Sequence, residues 1–317
     1  MKLLGFLASI ILCYPISLDC LVNKALLCID TKTEFNKEGV GFPFDEKIYE
    51  LVRSDELLEN QLASYCPAVQ RHIVVVIPSY NNANNYKRNL SSVYAQDYQN
   101  YSVIYIDDAS TDGTADLCMA YIRDLKQENR TRLIKNTVNR GALANLYDAV
   151  HGCDPECVIV NLDGDDSFAK GSVLTLINKV YDKFKVLMTY GTYQHFPYNG
   201  YAALFCKDIP PRILAKRAYR DMPSFSFSHL RTYKAALFQL IAKKDLMYDG
   251  KFFDAACDVA ISYPMAESSG DRIMRIPDIV YLYNIATPLN VHKLKREKQE
   301  LYSEVIKNRQ KYPVLVE

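Results

Sequence analysis

Through the middle of the chain, short apolar runs alternate with amphipathic stretches. HIVVVIP (72–78) is a β-branched run closed by proline, the pattern of a strand buried on both faces. YKRNLSSVYAQDY follows with apolar residues at helical spacing, and YSVIYIDD (101–108) predicts a second strand. TADLCMAYIRDLKQEN then predicts an amphipathic helix, TRLIKN a third strand, GALANLYDAVHG another helix and CVIVNLD a fourth strand. This alternation with short loops predicts right-handed βαβ units around a mostly parallel sheet, an α/β fold. Past residue 170 the regularity fades. The pattern there predicts a helix near 170–184, a strand near 186–193 and an aromatic, proline-bearing loop at YNGYAALFCKDIPP. Helices are expected at about 229–242 and 254–267, a strand pair near 272–283 and a charged helix from about 293. Ahead of the first strand, EKIYELVRSDELLENQLASY reads as an amphipathic helix.

Ligands of an open parallel sheet sit beyond the carboxyl ends of its strands. Here each of the four predicted strands runs into polar residues: PSYNNANN, DDASTDGT, NTVNRGALAN and DGDD. One such loop is ordinary turn chemistry; four along one sheet edge make a candidate site. Asp107 or Asp108 can accept hydrogen bonds from a nucleobase or a ribose. Asp112 and Thr114 are better placed to cap the helix that follows. Asn139 and Gly141 mark a tight loop where backbone can approach a ligand, with Asn145 one turn into the next helix. Asp163, Asp165 and Asp166 put three like charges into four positions. A divalent cation, Mg²⁺ or Mn²⁺, turns their repulsion of a nucleoside diphosphate into attraction.

Composition removes some classes. Lys plus Arg number 38 against 37 Asp plus Glu, a formal charge of +1, which argues against a nucleic-acid partner. Of nine cysteines only Cys153 and Cys157 are close enough in sequence to suggest a pair, and no second pair completes a zinc site, so free thiols are expected. MKLLGFLASIILCYPISLDCLV (1–22) carries Lys2 and then an apolar run from Leu3 to Leu18, which suits a signal peptide or a short anchor. Pro15 and Asp19 interrupt the ~20 apolar residues a full span needs, and a buried N-terminal helix is the alternative. Sequons at Asn89, Asn100 and Asn129 decide nothing.

Segment 72–190 resembles the family 2 glycosyltransferases of GT-A fold. The likeness rests on VVVIPSYNN, IYIDDASTDGT, NRGALANLYDAV and NLDGDD, in that order and spacing. It implies a Rossmann-like, mostly parallel sheet flanked by helices, with an irregular C-terminal acceptor half. It implies an inverting, metal-dependent hexosyl- or hexosaminyltransferase using a nucleotide-diphosphate sugar, UDP-linked by expectation, with Mn²⁺ or Mg²⁺. By that resemblance Pro78, Tyr80 and Asp108 surround the base, and Asn139, Gly141 and Asn145 border the nucleotide. Asp163 reaches ribose or metal, Asp165 holds the metal and Asp166 stands behind them. The implied organisation is a leader at 1–22, an extension at 23–70, a catalytic domain at 71–290 and a C-terminal helix at 291–317. The domain divides into a nucleotide half (71–166) and an acceptor half (167–290).

Inverting transfer needs a base for the acceptor hydroxyl. The family's later acid motif is often Glu-Asp; FFDAACDVAISYPMAE offers Cys257-Asp258 instead. Asp258 is the first candidate, Asp254 at helical i, i+4 spacing the second, and Glu267 the third. In SFSFSHLRTYKAALF (224–238), His229 and Arg231 precede a predicted helix and are assigned to the acceptor side, where Arg231 meets a phosphate, an acidic acceptor or a structural partner. His292 is a weaker candidate for the diphosphate, and Tyr193, Phe196, Tyr198 and Tyr201 for sugar stacking. The acceptor can be a glycan, a lipid or a protein. The leader implies the secretory lumen or membrane association through residues 3–22, with the cytoplasmic face of a membrane as the alternative. Two other readings compete: a sugar-nucleotide-forming nucleotidyltransferase, whose first loop would want Gly and basic residues that PSYNNANN lacks, and a GT-A-like carbohydrate-binding protein without turnover. A dehydrogenase would want G-x-G-x-x-G in the same loop, and none is present.

Overall fold

The computed structural model describes residues 57–197, 206–287 and 296–315. A short helix α1 (Leu58–Gln61) leads into strand β1 (Ile73–Ser79). Helix α2 (Tyr86–Tyr94), strand β2 (Tyr101–Asp107), helix α3 (Thr114–Asp124), strand β3 (Thr131–Lys135), helix α4 (Ala142–His151) and strand β4 (Val158–Asn161) follow in the predicted order. The second half contains β5 (Ser167–Phe168), α5 (Val173–Phe184), β6 (Met188–Phe196), α6 (Pro211–Lys216), β7 (Arg231–Lys234) and α7 (Ala235–Gln239). It continues through a small hairpin of β8 (Met247–Tyr248) and β9 (Lys251–Phe252), then α8 (Cys257–Ser269), β10 (Ile273–Asn284) and α9 (Arg296–Lys307).

Eight strands form one mixed sheet in the order β3-β2-β1-β4-β7-β6-β10-β5. The first four are parallel, as the βαβ pattern predicts. β1 shows why its sequence is apolar throughout. Ile73, Val75 and Ile77 pack with α2, α3 and α5 on one face, and Val74 and Val76 pack with α4 on the other. A strand covered on both faces has no polar side to alternate with.

The second half corrects three expectations. The helix expected over 229–242 is a strand followed by one short helix. Arg231–Lys234 pairs antiparallel with β4 and β6, filling the gap between two otherwise open edges. Its β-branched and aromatic centre suits a pleated surface: Thr232 Oγ1 lies 2.6 Å from Thr189 Oγ1, and Tyr233 donates to Asn161 at 3.0 Å. Second, the strand pair near 272–283 is one long strand, β10, whose register with β6 shifts between Ile276 and Ile279. Pro277 lies in that interval and has no N–H for the ladder, which accounts for the irregularity. Third, α8 begins at Cys257, so Asp254 lies ahead of the helix and the i, i+4 argument fails for it.

Residues on both sides of the expected domain at 71–290 join its core. Leu58 and Leu62 pack under β1 and β2, and Asp278 accepts the Leu58 and Glu59 backbone N–H groups at 2.9 and 3.1 Å. Ile306 of α9 is buried with α7 and α8. Most of the amphipathic stretch before Leu57, together with the leader at 1–22, His292, Tyr198 and Tyr201, lies outside the described residues. Among the described residues, no helix is long and apolar enough to cross a membrane. Cys66, Cys118, Cys153, Cys157 and Cys206 are free thiols.

Candidate active site

The parallel register sets the ends of β1, β2 and β3 side by side: Ser79 opposite Asp107, and Asp107 opposite Lys135. The loops beyond them are stitched together. Asn82 N donates to Thr114 Oγ1 and Ala83 N to Asp112 Oδ2, at 2.8 and 3.0 Å. Asp112 also accepts from Thr114 N at 3.1 Å, serving the first turn of α3, but the N-cap position is Gly113 and neither Asp112 nor Thr114 occupies it. Pro78 and Tyr80 stand at this edge, with Tyr80 exposed.

Asp107 and Asp108 are buried and differ in use. Asp108 organises the loop before α4: its carboxylate accepts Asn136 Nδ2, Arg140 N and Gly141 N at 2.8, 2.9 and 2.8 Å. Burial works to raise this carboxyl, but the surrounding amides of Asn145, Arg140, Asn136 and Gly141 outweigh it and hold it below its ordinary range. Gly141 adopts φ +83°, a conformation L side chains rarely enter, and Asn139 Nδ2 donates to the Asp108 carbonyl at 3.2 Å. Asp107 Oδ2 accepts Ser110 N at 3.1 Å, whereas Asp107 Oδ1 is buried without a partner. Buried polar atoms are otherwise almost always paired, so this oxygen is ready for a ligand's polar edge.

The acidic loop after β4 packs directly on the loop after β1. A Cβ on Gly164 would stand 2.6 Å from Ser79 Cβ and 2.9 Å from Asn82 Nδ2, so only glycine fits there. Asn89 of α2 binds the Asp163 and Asp166 carbonyls at 2.9 and 3.0 Å. Its side chain is fully buried, which closes that sequon in the folded chain. Asp166, 1% exposed, accepts Tyr281 OH and Asn284 N, each at 2.6 Å, and so stands behind the loop. Asp163 and Asp165 are half-buried. Among the described residues no group donates a hydrogen bond to the Asp163 carboxylate. Burial raises that carboxyl above its ordinary range; Arg231 opposes the shift and Asp258 adds to it. Burial also pushes the Asp165 carboxyl up to about 6, reinforced by the charge of Asp163.

Three separately predicted groups therefore converge here. β7 runs antiparallel to β4, so its first residue, Arg231, pairs with Asn161, two residues before Asp163. Asp258, in the first turn of α8, is near enough to act on Asp163 electrostatically. Its Oδ1 accepts Val259 N at 2.9 Å. The other two base candidates are otherwise engaged. Asp254 pairs with Lys298 at 3.0 Å. Glu267, fully buried, takes a bidentate bond from Arg220 at 2.7 and 2.9 Å and a third from Tyr312 N at 3.0 Å. His229 stacks on Tyr281 with ring centroids 4.6 Å apart, and Tyr193 lies 5.3 Å from Tyr283.

The sequence reading missed Arg88. This α2 residue binds the Asp165 carbonyl at 2.7 Å, lies 4.2 Å over the Phe196 ring and sets a positive charge toward Asp165 and Asp166. No local signal marks it, because an arginine on an amphipathic helix reads as a solvated face.

Among the described residues there is no cluster of three or more His, Cys, Asp or Glu side chains arranged to hold a metal. Asp163 and Asp165 nevertheless fit a hard dication. They are oxygen donors, their mutual repulsion is visible in the raised carboxyl of Asp165, and Asp163 has no competing donor.

The sequence model of glycosyl transferase family 2 matches residues 74–239, just over half of the chain. The chain belongs to glycosyl transferase family 2. Glycosyltransferase GlyG of Streptococcus pneumoniae is 27% identical over 220 residues, covering 67% of this chain and 70% of that protein. Glycosyltransferase GlyA of the same organism is 23% identical over 186 residues, covering 59% of this chain but 25% of its own length. The solved structure of S. aureus TarS 1–349 in complex with UDP-GlcNAc is similar in fold, with TM-score 0.55 and 16% identity over 74% of this chain and 65% of that one. This family 2 member is a glycosyltransferase with the GT-A architecture, which removes the nucleotidyltransferase and dehydrogenase readings.

Proposed function

We propose that this glycosyltransferase moves a sugar from a UDP-linked donor to an acceptor hydroxyl by a single inverting displacement that depends on a divalent cation. The observation that carries the reading is the Asp163 carboxylate, which accepts no hydrogen bond from the described residues and lies within the electrostatic reach of Asp258 on a separate element. A pair of carboxylates on separate elements matches a division between donor binding and base catalysis. The fold likeness to TarS, solved with UDP-GlcNAc, supports the choice of uridine.

In this reading the nucleotide lies over the ends of β1 to β3. The unpartnered Asp107 Oδ1 meets its polar groups. Asp163 and Asp165 would hold Mn²⁺ or Mg²⁺, which when bound offsets charge on the departing diphosphate. Asp258 Oδ1 is held by Val259 N, leaving Oδ2 to take the acceptor proton. The acceptor oxygen then forms its bond to the anomeric carbon as the bond to the diphosphate oxygen breaks, and that oxygen leaves with the electron pair. Asp166, Asn89 and Gly164 keep the carboxylates in place.

A panel of UDP- and GDP-sugars, each with Mn²⁺, tests the proposal by release of nucleoside diphosphate and by NMR of the product anomer. UDP release with inversion is expected. Failure to release nucleoside diphosphate from any donor would overturn the transferase mechanism, and a product that keeps the donor's anomeric configuration would overturn the single displacement.

A further inference from the structure

Arg231 is 7% exposed, yet it is poorly partnered. A guanidinium has five N–H donors. Here Nη1 reaches the Phe227 carbonyl and Nη2 the His229 Nδ1, both at 3.3 Å, and Nε is buried with no partner. No carboxylate of the described residues lies within 4 Å of it. Burying a cation this way is destabilising unless an anion completes it. Arg220 shows the completed state in the same chain, with a bidentate carboxylate and three backbone carbonyls.

What Arg231 faces follows from the sheet. Its antiparallel pairing with Asn161 puts it beside the start of the acidic loop, and its charge acts on Asp163. The neighbours hold it there. His229 Nδ1 accepts from Nη2, so the ring proton sits on Nε2, and the ring is stacked on Tyr281, whose hydroxyl is bound to Asp166. The guanidinium is thus tied to the carboxylate loop through His229 and Tyr281. Its planar fork suits phosphate oxygens.

We infer that Arg231 is a fixed cation of the donor site, which binds the diphosphate and competes with the divalent cation for the field of Asp163. The inference rests on the nucleotide-sugar reading above. It places Arg231 on the leaving group, although an acidic acceptor would offer the same anionic oxygens. It also sets two effects of opposite sign on one residue. Removing the charge takes a donor away from the diphosphate, and it removes a positive neighbour that weakens metal binding at Asp163.

Calorimetry on the full chain with Arg231→Gln and Arg231→Lys, using Mn²⁺ alone, UDP with Mn²⁺, and uridine, reads both effects. Arg231→Gln is expected to weaken UDP about tenfold to a hundredfold, to leave uridine unchanged and to tighten Mn²⁺ alone by about two- to tenfold. Arg231→Lys keeps the charge and loses the fork, so Mn²⁺ should bind as in the wild type while UDP weakens less than in the glutamine variant. Parallel weakening of Mn²⁺, UDP and uridine would mean a structural role and overturn the inference. So would unchanged UDP affinity combined with lost preference for acidic over neutral acceptors, which would move Arg231 to the acceptor. If the wild type binds neither UDP nor GDP with Mn²⁺, the donor reading itself fails and this inference falls with it.

Discussion

Arg220 and Arg231 are both buried, and each has a carboxylate in its field, yet their surroundings are opposite in kind. Arg220 holds Glu267 at 2.7 and 2.9 Å and donates to the carbonyls of Ile306, Arg309 and Gln310, which pins the chain that follows α9. Arg231 has two long bonds to neutral atoms and an unpartnered Nε, beside an Asp163 carboxylate that accepts no hydrogen bond from the described residues. A satisfied buried pair is architecture. An unsatisfied pair is a deficit that a bound ligand removes, and it marks where natural proteins give up stability for function.

The contrast breaks if the two regions respond alike to mutation. Asp165→Ala should show the largest effect, a loss of Mn²⁺-dependent UDP affinity of about a thousandfold by calorimetry. Its melting temperature should hold or rise, because a repelling charge beside Asp163 is gone. Glu267→Ala should do the reverse. It strands Arg220 and should cost about 3–5 kcal/mol in denaturant unfolding, with UDP affinity intact where the variant is folded. Asp258→Asn should fall between the two classes, leaving UDP binding unchanged while sugar transfer drops ~10²-fold in steady-state kinetics. Full transfer by that variant would return the base role to another carboxylate.

The smallest effect sharpens the comparison inside the first half of the sheet. Asp108 is satisfied in the manner of Glu267, and its folded carboxyl lies below its ordinary value. Its stabilisation is therefore present above the unfolded carboxylate pKa of ~3.9 and is lost as pH falls through the folded value. Melting temperature followed from pH ~5 down to ~3 should fall more steeply for the wild type than for Asp108→Asn.

The first half was legible because β1 and β4 are buried on both faces and its helices keep a clean 3.6-residue period. The polar run after each strand then marked one edge of the sheet. The second half hid for two physical reasons. β7 is four residues long and exists because β4 and β6 leave a gap between them, and β10 crosses a proline that breaks its ladder. The same reasons governed the site. The acidic loop announced itself by charge density, whereas Arg88 carries no local mark and Arg231 is assigned from sequence only to the acceptor side; the positions of both depend on elements far apart in sequence. Asp258 and Glu267 look equivalent as sequence. Arg220, 47 residues before Glu267, is what separates them.

The position of β7 has a further consequence during synthesis. When Val158–Asn161 leaves the ribosome, β1 can cover one flank, but the strand for the other flank begins at Arg231, 70 residues beyond Asn161. At ~5–20 residues per second the wait is about 4–14 s. For that interval an apolar strand edge stands open, the kind of surface that recruits stray strands and chaperones alike. Nascent chains arrested before residue 231 are expected to crosslink to chaperones through this edge, and chains extended past Lys234 to release them.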